Sequence, residues 1–193
     1  MRFSNISKLA VAAAALACVG SVSAVPISVG FNFIPFGGTL TGNNGDITTS
    51  TSVTYAGGSY LVNAVDNTAT TNNIGVALSD VINLTNPMPL TIGSVFEKRF
   101  TADEGDFLET LTVDSLTIGG SSRAITATGT ITCVASCGAT FDPTTVYFSA
   151  SYTQNGGPTG QVNGSFNNST VPPPPSRLPE PASLALLGLG MAG

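Results

Sequence analysis

The chain has 193 residues, 11 acids against 6 bases and no histidine or tryptophan. The absence of histidine excludes Ser-His-Asp and Cys-His catalytic arrangements. Between residues 25 and 176 ten acids face three bases, Lys98, Arg99 and Arg123, and this acidic balance disfavours nucleic acid and anionic membranes as partners.

The chain opens with Arg2 and Lys8, then an uncharged apolar run over residues 9–19, LAVAAAALACV. Val22, Ser23 and Ala24 follow, with small residues where a signal peptidase requires them. Residues 1–24 are therefore expected to be a secretory signal helix cut after Ala24. The run of 11 residues falls short of the roughly 20 that a membrane-spanning helix needs. Export through the Sec translocon is the consequence.

Residues 25–170 suit one domain. Val29, Phe31 and Phe33 share a face at period two and predict an opening strand, ended or placed at an edge by Pro35. Asn43 to Asp46 reads as a turn. Residues 52–55 and 60–65 predict two short strands around Gly57-Gly58, as a hairpin. Residues 66–73 form a polar loop. Residues 74–84 fit either a strand pair or a short helical turn.

Pro87 and Pro89 break the chain, and alternation resumes over residues 90–100. In residues 107–118, FLETLTVDSLTI, one face carries Phe107, Glu109, Leu111 and Val113, while Leu116 and Ile118 fall on the other. A single strand there requires a bulge or corner near Asp114 or Ser115. Residues 124–133 place Thr126, Thr128, Thr130 and Thr132 on one side, and residues 145–152 form a further strand. Many short strands with turn signals predict an all-β fold, a single β-sandwich or jelly-roll-like core. The expected core is Phe31, Phe33, Phe96, Phe100, Phe107, Leu111, Val113, Val146 and Phe148.

Cys133 and Cys137 lie in TCVASCG, and outside the cytoplasm thiols this close favour a disulfide. Asp103, Glu104 and Asp106 offer oxygen ligands for calcium, although their order is not that of an EF-hand and a solvated acidic turn has the same composition. No other cofactor is expected. Tyr55, Tyr60, Tyr147 and Tyr152, if exposed, are the right rings to stack on sugars; as ordinary strand residues they carry no function.

Residues 171–178 include four consecutive prolines, a stiff extended spacer. Pro179, Glu180 and Pro181 follow, then Ala182, Ser183 and the apolar segment LALLGLGMAG, expected to be helical. This tail resembles the PEP-CTERM sorting signal of Gram-negative bacteria, over residues 171–193 together with the signal peptide. The resemblance implies recognition by a membrane-embedded exosortase with processing near Pro179-Glu180-Pro181. It implies transient anchoring by the apolar helix and delivery to the cell surface or the exopolysaccharide matrix. The family's basic cluster after the helix does not appear before Gly193. The 13 residues from Pro181 make about 20 Å of helix, short of a hydrocarbon core of roughly 30 Å, so the sorting segment reads as truncated. Two functions follow as expectations: a non-catalytic surface or matrix protein of biofilms, or a carbohydrate- or calcium-binding module.

Overall fold

A computed structural model describes residues 24–66 and 71–173. The signal segment before Ala24 and the sorting motif Pro179, Glu180 and Pro181, with its apolar segment, lie outside the described residues.

Among the described residues thirteen strands carry the fold. They are β1 (Val25–Pro26), β2 (Gly30–Phe36), β3 (Thr39–Gly42), β4 (Ser52–Ala56), β5 (Ser59–Val65), β6 (Val81–Leu84) and β7 (Met88–Pro89). Then come β8 (Val95–Ala102), β9 (Gly105–Gly119), β10 (Ser122–Ala135), β11 (Phe141–Asp142), β12 (Thr144–Asn155) and β13 (Gln161–Ser169). The described residues contain no helix, so the domain is all-β.

Eight of the strands close into a barrel. The wall runs β2, β5, β6, β8, β9, β10, β12, β13 and back to β2, and every neighbouring pair is antiparallel. Wall order equals chain order, which makes this an up-and-down barrel in place of the expected sandwich or jelly roll. The pairing of β12 with β13, and of β13 with β2, removes the free edges that a sandwich would keep.

The residues around Gly57-Gly58 form two strands, as expected, but the strands do not pair with each other. Instead β2 and β3 form one arm and β4 and β5 the other, in one antiparallel register from Phe33↔Val62 through Phe36↔Ser59 and Thr39↔Ala56 to Gly42↔Val53, with a bulge between Asn32 and Phe33 before it. The true reversal is the loop 43–51. Gly57-Gly58 is a corner in mid-arm, and Gly37-Gly38 is the matching corner opposite. A Cβ on Gly58 would stand 2.4 Å from the Phe36 carbonyl oxygen and 2.5 Å from the Gly38 nitrogen, so only glycine lets the two backbones approach this closely. Tyr55 Oη donates to the Phe36 carbonyl at 2.7 Å and to the Ser59 carbonyl at 3.2 Å across the bend. Beyond the corner β3 and β4 leave the barrel wall, β3 touching β13 at Leu40↔Val162 and β4 pairing with β7.

Of residues 74–84, Val81–Leu84 alone is strand, and 74–80 is turn and loop. In β9 and β10 the predicted irregularity is found: Thr126 pairs with Ser115 while Ala127 pairs with Val113, leaving Asp114 as the extra, bulged residue. The four threonines of β10 face away from the buried side, and all nine expected core residues are buried.

The lumen is packed with side chains, as an eight-stranded barrel is just wide enough to permit. Phe33 stacks on Phe166 with centroids 4.9 Å apart, and Phe100 on Phe107 at 5.6 Å. One end is closed by Ile47 and Leu90, where the Arg123 guanidinium donates to the carbonyls of Thr48 (3.0 Å) and Leu90 (3.1 Å). Near the opposite end, the Asn73 carboxamide ties its own loop to residues 26–28 through Ser28 N–H (2.8 Å) and the Pro26 carbonyl (2.9 Å).

The outer wall is largely polar, with Val81, Val95 and Ile118 as scattered exposed apolar residues. On β8 the outward residues include Glu97 and Arg99, paired at 3.1 Å and both about half exposed. A lipid-facing barrel carries an apolar band there instead. Among the described residues no helix is long and apolar enough to cross a membrane.

Candidate functional site

Alternation along a strand sends every second side chain inward. On β8 that inward set is Phe96, Lys98 and Phe100; on β9 it is Phe107, Glu109, Leu111 and Val113; on β13 it includes Phe166 and Asn168. Three polar groups thereby enter an aromatic lumen, and Lys98, Glu109 and Asn168 are each fully buried.

Lys98 and Glu109 are register partners on adjacent strands. Lys98 Nζ lies 2.8 Å from Glu109 Oε2 in a fully buried ion pair. The other carboxylate oxygen, Oε1, accepts from Asn168 Nδ2 at 3.0 Å. One carboxyl group thus bridges the amine and the carboxamide. Asn168 Oδ1 is buried without a hydrogen-bond partner. Around the amine stand the rings of Phe31, Phe100 and Phe33, with centroids 4.6, 5.3 and 5.4 Å from Nζ. Their electron-rich faces attract a cation.

Burial dominates the electrostatics. It pushes the Lys98 ammonium down to about 8, against the opposing pull of Glu109. It raises the Glu109 carboxyl above its ordinary value, against the opposing influence of Lys98 and Asn168. Both shifts favour the uncharged forms, because a low-dielectric surrounding penalises charge on either partner. Chemically the three groups are an amine, a carboxyl group able to carry a proton between neighbours, and a carboxamide.

Sequence reasoning placed Glu109 on the buried face but did not single out Lys98 or Asn168. The signal was present in the period-two pattern, since each of the three has an aromatic or apolar residue two positions away on the same face.

The residues anticipated from sequence lie elsewhere. Cys133 and Cys137 form a disulfide with an S–S distance of 2.03 Å, tying Cys133 near the end of β10, opposite Phe107 of β9, to the loop that follows β10. Asp103 and Glu104 form the β8–β9 turn and Asp106 stands at the start of β9, and the three engage separate neighbours. Asp106 accepts from Thr101 Oγ1 at 2.6 Å, Asp103 packs against Gly75, and Glu104 Oε2 lies against Gly138, the residue after Cys137. Among the described residues no group of three or more carboxylate or cysteine side chains is gathered as metal ligands would be. Tyr55, Tyr60 and Tyr152 are buried, which corrects the expectation of exposed sugar-stacking rings. Tyr60 and Tyr152 close into the core because inward positions on strands wrapped into a barrel have no solvent side, and Tyr55, on β4, packs against Tyr60 with centroids 4.6 Å apart. Burial raises the pKa of Tyr60 and Tyr152. Tyr147 alone of the four faces outward, half-buried, in a groove of 310 Å³ with Asp114, Thr126, Thr128 and Asn167. Ala24 is the first described residue, directly before β1.

Comparison of the chain with protein-family models, curated proteins and solved structures finds no match.

Proposed function

We propose that this chain is an exported, non-catalytic protein of the cell surface or extracellular matrix of a Gram-negative bacterium, sorted by its PEP-CTERM-like tail. The observation that carries the reading is a barrel filled by its own aromatic side chains, joined at β13 to a proline-rich spacer and the Pro179-Glu180-Pro181 segment. Such a barrel is a passenger with a largely polar outer wall and a packed interior. The Cys133–Cys137 disulfide is compatible with an oxidising compartment. The Sec translocon and an exosortase are the partners during delivery, and exopolysaccharide is the surrounding in which it works.

The test is deletion of residues 179–193 in a host that has an exosortase. The truncated protein is expected in the medium or with altered processing. Unchanged size and location would overturn the sorting reading.

A second reading, a carbohydrate-binding module, rests on the outer groove around Tyr147. The bulge at Asp114 turns that carboxylate toward Thr128, whose hydroxyl it accepts, beside an aromatic ring and the Asn167 carboxamide. Planar polar groups next to a ring suit a sugar face. A glycan array that lights up with the wild type and goes dark with Tyr147→Ala would favour it. Calcium is tested separately: a rise of several degrees in Tm at millimolar calcium would support a calcium-binding module, and an unchanged Tm would dismiss it.

A further inference from the structure

A buried ion pair gains little over well-packed apolar residues of similar volume. Lys98, Glu109 and Asn168 nevertheless occupy a lumen otherwise filled largely by aromatic and aliphatic side chains. Their arrangement answers to chemistry better than to packing. The amine and the carboxamide sit on the two oxygens of one carboxyl group, and the carboxamide oxygen and the amine both lack well-directed hydrogen-bond partners. The rings of Phe31, Phe33 and Phe100 surround the amine and keep the site dry.

We propose that Lys98 and Asn168 join in an intramolecular isopeptide bond, with Glu109 as the proton shuttle. The uncharged Lys98 amine attacks Cγ of Asn168. As the tetrahedral centre forms, Oδ1 takes up the negative charge, while Glu109, protonated, gives its proton from Oε1 to Nδ2 and takes one from the attacking nitrogen at Oε2. The centre then collapses: the Cγ=Oδ1 bond re-forms, the Nζ–Cγ bond remains, the Cγ–Nδ2 bond breaks, Nδ2 leaves as ammonia with the proton from Glu109, and Glu109 keeps the proton taken from Nζ. Amine and primary amide become secondary amide and ammonia, so atoms balance and nothing is oxidised or reduced.

Three physical effects favour the step. A lysine desolvated in an apolar pocket is an activated nucleophile. The burial shifts described above move the amine and the carboxyl toward the neutral forms that the step uses. Holding the reactants together also removes the entropic cost of a bimolecular encounter. The product is a covalent strut across the barrel, from β8 to β13. Because β13 leads directly to the C-terminal segment, a pull from that end would pass through Asn168 into β8 instead of peeling the last strand from its neighbours.

The experiment is intact-mass and peptide mass spectrometry on the full chain as purified, after reduction of the disulfide. The expected result is a mass lower by one ammonia, and a proteolytic peptide joining the segment around Lys98 to the segment around Asn168. Glu109→Ala should restore the full mass. Asn168→Asp should still cross-link but lose water instead of ammonia. Separate, unmodified Lys98 and Asn168 peptides from folded wild-type protein would overturn the proposal. Loss of ammonia without a joined peptide would mean cyclisation at some asparagine, and would overturn it too. The wild-type readout stands even if a variant fails to fold.

Discussion

The Gln154 carboxamide oxygen accepts the buried Ile47 N–H at 2.8 Å, joining strand β12 to the loop that closes one end of the barrel. The same carboxamide's nitrogen donates to the carbonyls of Gly45 (2.6 Å), Pro158 (3.0 Å) and Gly160 (3.1 Å). One side chain therefore fixes both the 43–51 loop and the β12–β13 turn. Gln154→Leu leaves a buried N–H unpaired, which costs about 1–3 kcal/mol. Chemical denaturation should show that loss, and hydrogen exchange should show faster exchange at Ile47. Wild-type protection at Ile47 would refute the role.

The glycine corner gives a second prediction. Gly58→Ala drives a Cβ into the Phe36 carbonyl and the Tyr55 hydroxyl, and overpacking of this kind costs about 1–3 kcal/mol. Gly57→Ala meets no atom within 4 Å but forces alanine to a φ of +77°, costing roughly 1–2 kcal/mol for the left-handed conformation. The two variants should differ in structure more than in stability. Gly58→Ala is expected to shift backbone NMR signals at Phe36 and Tyr55, and Gly57→Ala to leave them in place.

The Cys133–Cys137 disulfide closes a loop with a sequence separation of 4. Chain-entropy arguments give so small a loop about 2 kcal/mol. Cys133→Ser with Cys137→Ser should therefore leave a folded barrel that denatures slightly earlier, with faster proteolysis confined to residues 134–140. A collapse of the whole fold would contradict this local role.

Asp46 carries the pH prediction. The Thr48 hydroxyl and then the Thr48 N–H hold its carboxyl below the ordinary value, both bonding to Oδ1 (2.7 and 2.9 Å). A depressed carboxylate stabilises the fold fully above its unfolded value of about 3.9 and loses that contribution as pH falls through the lower folded value. Wild-type Tm should thus fall toward the Tm of Asp46→Asn as pH drops from 5 to below 3. A constant difference between the two proteins across that range would exclude the linkage.

The sequence by itself determined which side chains turn inward. Period-two alternation placed Phe96 and Phe100 on one face and Phe107, Glu109, Leu111 and Val113 on another, and the break in that pattern located the bulge at Asp114. It also brought Cys133 and Cys137 within reach of each other. Alternation says which face a residue occupies but not which strands are neighbours. That Gly57-Gly58 is a corner and not a hairpin turn depends on a second glycine pair, Gly37-Gly38, meeting it across the sheet. That Tyr60 and Tyr152 are interior depends on the wall curving closed. The Lys98–Glu109 contact follows from the short turn between β8 and β9, whereas the contact of Asn168 with Glu109 requires β13 to return to β2 and seal the barrel. Such pairings join residues as far apart as Asn32 and Asn167, and no local pattern encodes them. The sequence alone thus decided the chemistry facing inward, and barrel closure decided that three of those groups would meet.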